Sequence, residues 1–158
     1  MQAFDFKMID DGTYAVVSYE GDESAVTVPS QNLGRDVTVM YDDLFKGHTE
    51  ITKVFIPDTV TDVGGFVFDG CTALRSVELP DSVTTLWQYA FVRCGIEQIE
   101  LPRGVRRIVP YVFKDCRDLR VVRAPGVERV GSFAFEGCDS LEKLDVPQGA
   151  QIHPKAFG

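Results

Sequence analysis

Six phenylalanines, Phe45, Phe68, Phe91, Phe113, Phe135 and Phe157, are spaced by 23, 23, 22, 22 and 22 residues. Pro57, Pro80, Pro102, Pro125 and Pro147 keep the same interval. A period this short is no domain, and its regularity is not chance. It predicts a repeat solenoid in which every copy is one coil that packs on the next. Such a fold has long faces instead of a single cleft. Function is therefore to be sought as a surface.

The clearest copy runs from Leu74 to Phe91 and closes on Cys94. Its opening, Leu-x-x-Val-x-Leu over 74–79, alternates as a short strand does. Pro80 ends it, because proline lacks the N–H that a ladder needs on both sides. Val83 and Leu86 are the next inward anchors. Ala90 and Phe91 turn the chain back beneath the strand. The copies led by Ile51, Ile96, Leu119 and Leu141 repeat this order. About six apolar side chains per copy point inward, and no single copy can bury them alone. Stacking buries them at roughly 1.5–3 kcal/mol for a large side chain. Ala124 is the smallest strand-end residue, and the coil after Pro125 is one residue short. Together these place an expected change of curvature there.

Cys71, Cys94, Cys116 and Cys138 each lie three residues after a periodic phenylalanine, and His48 takes that place in the first coil. There is no Cys-x-x-Cys knuckle for zinc. A column repeated at every level asks for identical packing, not pairing, so these thiols and the six phenylalanines are read as structural core. No metal and no cofactor is expected.

Residues 1–28 break the period. Phe4 to Met8 alternates, Asp10-Asp11-Gly12 turns, and Thr13 to Tyr19 runs extended. This predicts a β-hairpin cap and entry strand over 1–28, followed by a solenoid of about five to six coils over 29–158. The first coil is long: 16 residues separate Pro29 from Phe45, against 11 in the next three, with Gly34-Arg35-Asp36 as an extra turn. The chain stops at Gly158 with no polar cap, so self-association through that end is an expectation. The first residues do not read as a secretory signal, and no stretch is long enough to span a membrane. On that ground the chain reads as cytoplasmic or as a fragment of a longer protein.

The register of Pro80, Ala90-Phe91 and Cys94 with their counterparts resembles the BspA-like, or Treponema pallidum type, leucine-rich repeat over roughly 26–157. The resemblance implies a right-handed leucine-rich-repeat superhelix of short parallel strands and turns. It also implies a bacterial surface or secreted protein that acts in protein–protein recognition or adhesion and not in catalysis.

Three surface features differ between copies. Strand residues between the anchors, among them Phe55, Glu78 and Arg123, form a face of mixed charge. Phe66, Tyr89, Tyr111 and Phe133 form a column two residues before each phenylalanine, either packed between coils or exposed as a contact strip. Trp87 stands where other coils have Gly64 or Gly131, and is expected to protrude as an exposed anchor. Charge is also uneven. Residues 1–92 hold 15 acids against 5 bases, 93–129 hold 9 bases against 5 acids, and the chain as a whole is at −8. Arg103, Arg106 and Arg107, near Arg93 and Arg117, make a basic belt that suits an acidic protein or a glycan. Nucleic acid is not the expected partner at this net charge, with no nucleic-acid module present.

Against an enzyme stand the separation of His48 and His153 at opposite ends and the lack of a glycine-rich phosphate loop. Two readings remain: a non-catalytic recognition or adhesion module, or a structural spacer or self-assembly element of a larger protein.

Overall fold

The computed structural model describes residues 2–158. Strand β1 (Ala3–Met8) and β2 (Tyr14–Glu20) form an antiparallel hairpin. Its turn is held by Asp11, whose Oδ1 accepts hydrogen bonds from the Thr13 amide and hydroxyl at 2.9 and 2.6 Å. Gly12 supplies the positive φ of 82° at that bend. β2 then pairs in parallel with β5 (Arg35–Met40), which joins the hairpin to the coil stack.

The long first coil also contains β3 (Ala25–Thr27) and β4 (Gln31–Asn32). The extra residues seen in the sequence form a second, small hairpin. Gln31 faces Asp36, Asn32 faces Arg35, and Leu33-Gly34 make the two-residue turn with both φ angles positive. That geometry matches a primed hairpin turn.

Beyond it the chain is a right-handed parallel solenoid of very short strands in two columns. One column holds β6 (Lys53–Phe55), β9 (Gln98–Glu100), β11 (Val121–Arg123) and β13 (Lys143–Asp145). The other holds β7 (Asp62–Val63), β8 (Thr85–Leu86), β10 (Arg107–Ile108), β12 (Arg129–Val130) and β14 (Gln151–Ile152). In these strands as far as β12 the middle or last apolar residue points inward, as Val54, Val63, Leu86, Ile99, Ile108, Val122 and Val130 do.

Between the columns the phenylalanines stack. Successive rings from Phe45 to Phe157 lie 5.0–5.8 Å apart with interplanar angles of 7–28°. Tyr19 of β2 extends the ladder, 5.4 Å from Phe45. Phe45 to Phe135 are fully buried, but Phe157 is 53% exposed. The core reading of Phe157 is thus corrected. It is the outermost ring and has a neighbour on one face only. Ile152, expected to point inward in the same coil, is exposed for the same reason.

All four cysteines are free thiols. Burial pushes the Cys94 and Cys138 thiols up to about 12, and raises Cys71 and Cys116 strongly as well. They are more than small apolar fillers. The thiols of Cys71, Cys116 and Cys138 donate to the carbonyls of Phe45, Phe91 and Phe113 at 3.2, 2.9 and 3.0 Å.

The strand expected over 74–79 is absent. No ladder joins this segment to β6 or β9, and Ser76 to Leu79 make no backbone hydrogen bond. The other column breaks one step along, between β8 and β10. Downstream, β9-β11-β13 and β10-β12-β14 run unbroken past Ala124. The missing strand lies two copies before the one that ends at Ala124.

Candidate functional site

The break in the strand column opens a groove of about 830 Å³ between the 76–81 segment and 98–104, reaching Arg123 and Pro125 on the next coil. Its floor includes the buried Val77, Ile99 and Leu101. Its rim carries Glu78, Asp81 and Glu100 on one side of the charge balance, and Arg103 and Arg123 on the other. These five side chains are exposed. None makes an ion pair or side-chain hydrogen bond among the described residues. Arg123 stands in register between Glu100 and Asp145 on its two neighbours, yet closes on neither.

A spacing marks the same place in the sequence. The interval from phenylalanine to the next proline is 12 residues in the other coils but 11 from Phe91 to Pro102. The missing residue lies between Cys94 and Ile96, where Gly95 stands alone. A Cβ on Gly95 would lie 2.2 Å from the Thr72 carbonyl oxygen, so only glycine fits the shortened turn. Just past this turn the Glu97 amide still reaches the Arg75 carbonyl at 2.8 Å, but Ser76 to Leu79 are left unpaired. Phenylalanine periodicity alone hides this deletion; measuring phenylalanine to proline within each copy reveals it.

Phe55 lies on the same strand face, 47% exposed, with Lys53 Nζ 4.8 Å from its ring centroid. Glu78, Arg103 and Arg123 from the sequence reading thus line one groove, and Phe55 lies on its column two coils before Glu100.

The aromatic column resolves differently. Phe66, Tyr89, Tyr111 and Phe133 stack at 4.8, 4.8 and 5.4 Å, half-buried, with interplanar angles of 7–14°. All four have φ between 58° and 67°. A bulky residue in that region costs roughly 1–2 kcal/mol, and ring stacking returns about 0.5–1.5 kcal/mol per pair. The two nearly cancel. The ring faces cover one another, so Tyr89 and Tyr111 present edges, not stacking platforms. Lys46 and Lys114 lie over Phe66 and Tyr111 at 5.3 and 5.9 Å.

Trp87 is exposed, but not free. Its indole Nε1 donates to Asp62 Oδ2 at 3.1 Å, leaving 53% of the residue in solvent.

The basic belt divides. Arg93 is withdrawn into a bidentate pair with Asp69 at 2.9 and 2.8 Å. Asp69 is the one buried charged residue among those described, at 2% exposure. Arg93 itself occupies a left-handed position where three other coils have Gly47, Gly70 and Gly137. The pairing thus holds a strained residue in place. Arg117 is engaged by Asp139 at 2.8 Å, and Arg106 by Glu128 at 3.3 Å. Arg103 and Arg107 remain unpaired among the described residues.

His48 Nδ1 lies 2.7 Å from Glu50, and His153 Nδ1 accepts from the Lys155 amide. Neither joins a nucleophile. No group of three or more His, Cys, Asp or Glu side chains poised for a metal exists among the described residues. No helix is long and apolar enough to cross a membrane.

Residues 38–158 match the BspA type leucine-rich repeat region, in six copies. The chain belongs to that family. A leucine-rich repeat protein from Bacteroides ovatus is similar over 98% of this chain and 49% of its own, at 22% identity and a TM-score of 0.76. A T. pallidum leucine-rich repeat protein is similar over 87% of both chains, at 23% identity and a TM-score of 0.57. A leucine-rich cell surface protein from Faecalibacterium prausnitzii is similar over 93% of this chain and 53% of its own, at 22% identity and a TM-score of 0.64. The chain thus spans about half the length of the Bacteroides and Faecalibacterium structures. These likenesses bear on the fold. No curated protein sequence matches the chain.

Proposed function

We propose that the chain is a protein-recognition module that binds through the groove between 76–81 and 98–104. The observation that carries this reading is the set of unpaired charges on its rim. Glu78, Glu100, Arg103 and Arg123 surround an apolar floor of Val77, Ile99 and Leu101 without neutralising one another. Charges held apart above a buried apolar strip suit a protein partner of complementary pattern, which they orient and select. The likeness to a protein described as a leucine-rich cell surface protein supports a place at the bacterial surface.

The test is a capture experiment on proteins exposed by neighbouring cells, using this chain as bait. Arg103→Glu/Arg123→Glu and Glu78→Arg/Glu100→Arg baits serve as comparisons. A partner retained by the natural chain and weakened about tenfold or more by both reversals supports the groove. Retention that neither reversal alters sinks it. The second reading, a self-assembling spacer, is favoured by the half-exposed Phe157 and Ile152 of the last coil. Sedimentation across concentration separates the two: a monomer at all concentrations counts against self-assembly.

A further inference from the structure

The same pair of coils holds two arginines in opposite circumstances. Arg106 is matched by Glu128 across the coils at 3.3 Å. One residue on, Arg107 of β10 is the register partner of Arg129 of β12. Both are exposed, and neither has an ion pair or hydrogen-bonding partner for its side chain among the described residues. Like charges directly opposite destabilise a ladder. Relief is available nowhere along the column. On the far side Arg129 faces Gln151, which is neutral. On the other side β8 makes no ladder with β10, though the two coils stay stacked where Tyr89 meets Tyr111 at 4.8 Å, and β8 and β7 supply Thr85 and Asp62. Asp62 is occupied, since its Oδ1 accepts from Thr61 and its Oδ2 from the Trp87 indole.

Trp87 follows β8 directly and, by strand alternation, shares the outward face with Thr85. Its polar edge is tied down and its ring is in solvent. The flank thus presents a fixed aromatic surface and two uncompensated guanidinium groups one strand spacing apart, about 4.8 Å at the backbone. Tryptophan and arginine are the residues that most often dominate binding energy at protein interfaces.

We propose that this flank is a second binding site, separate from the groove, for an extended acidic polypeptide segment. Its carboxylates pair with Arg107 and Arg129, and an apolar side chain packs on Trp87. Charge complementarity argues for the occupant. Arg107 and Arg129 lie in the one basic stretch, 93–129, of a chain at −8 overall. Planar guanidinium groups pair with carboxylates bidentately. The site goes beyond the groove reading and does not depend on it.

Trp87 is the only tryptophan, so its emission reports on the site directly. The probe is a synthetic ten-residue peptide rich in glutamate with one central leucine, titrated at low ionic strength and checked by calorimetry. A sulfated oligosaccharide is titrated in parallel. The expected result is a saturable change in emission that weakens with salt. Arg107→Gln/Arg129→Gln should lower peptide affinity on the order of tenfold, while Lys7→Gln/Lys155→Gln, which removes the same charge elsewhere, leaves it unchanged. Circular dichroism and melting establish that the variants are folded. Should the double variant fail to fold, Arg129→Gln alone carries the same comparison. No saturable response to the peptide, an undiminished response in the glutamine variants, or a clear preference for the sulfated sugar overturns the proposal.

Discussion

Two aromatic ladders run through this molecule, two residues apart in every coil. Phe68, Phe91, Phe113 and Phe135 stack at 5.0–5.4 Å. Phe66, Tyr89, Tyr111 and Phe133 stack at 4.8–5.4 Å. Their geometry is nearly the same, because both inherit the spacing of the coils. Their energetics are not. The inner rings are fully buried. The outer rings are half in solvent and sit on left-handed backbone. Repetition alone therefore makes a ladder; burial decides whether the ladder holds the fold together. The outer one about balances its own strain.

The thiols beside the inner ladder give the largest expected effect. Their folded pKa is raised by burial, so in the folded state they stay protonated while in the unfolded chain they ionise above about 8.5. The contribution is fully present below that value and falls as pH rises toward 12. Each affected thiol removes about 1.4 kcal/mol per pH unit above 8.5. Denaturant melts at a series of alkaline pH values should show a loss of several kcal/mol in total by about pH 10. A Cys→Ala column variant should be flatter. Equal slopes in the two chains would show that these thiols are open to solvent.

The ladders themselves are compared by Phe91→Ala and Tyr89→Gly. The first opens a cavity in the core and should cost about 3–5 kcal/mol. The second loses two stacks but relieves left-handed strain, and should cost about 1 kcal/mol or less. Equal losses by urea titration would mean that the outer ladder is as much a core as the inner.

Arg93→Ala and Asp69→Asn cut the same ion pair from opposite ends. Removing Arg93 leaves a buried carboxylate unpaired and should cost about 3 kcal/mol. Asp69→Asn keeps a neutral hydrogen-bonding group beside an arginine that reaches solvent, so it should cost clearly less. If Arg93→Ala proves the milder change in thermal melts, the pair is not what holds Arg93 in its glycine-like position.

The smallest change lies at the second, small hairpin. Leu33 is 85% exposed and at φ 50°. Leu33→Asn supplies the residue type that such a turn prefers and should add about 0.5–1 kcal/mol. A loss instead would mean that Leu33 makes contacts in the folded chain that compensate its backbone.

Much of the fold was legible because its signals are local. Phenylalanine, proline and cysteine recur at one interval, and each carries its own reason to be inside, at a strand end or in a tight turn. The hairpin was legible from alternation around Asp10-Asp11-Gly12. The strand at 74–79 was misread for an instructive reason. Its pattern is the cleanest of all copies, but a strand exists only if its neighbours present a ladder, and neither β6 nor β9 pairs with it. Of the groove's rim, Glu78, Arg103 and Arg123 stand out in the sequence without the cleft that unites them.

The charges divide along the same line. The sequence by itself determined the coil period, the inner ladder and the regions of net charge, since these depend on residue type and spacing within one copy. It said nothing of which charges are free. Asp69 meets Arg93, Asp62 meets Trp87, and Glu128 meets Arg106 across gaps of 22–25 residues. Glu100 and Arg123 stand in register and do not close. Only the stacking of one coil on the next decided those partners, because reach and direction across neighbouring coils are properties of the packed solenoid and not of any single repeat.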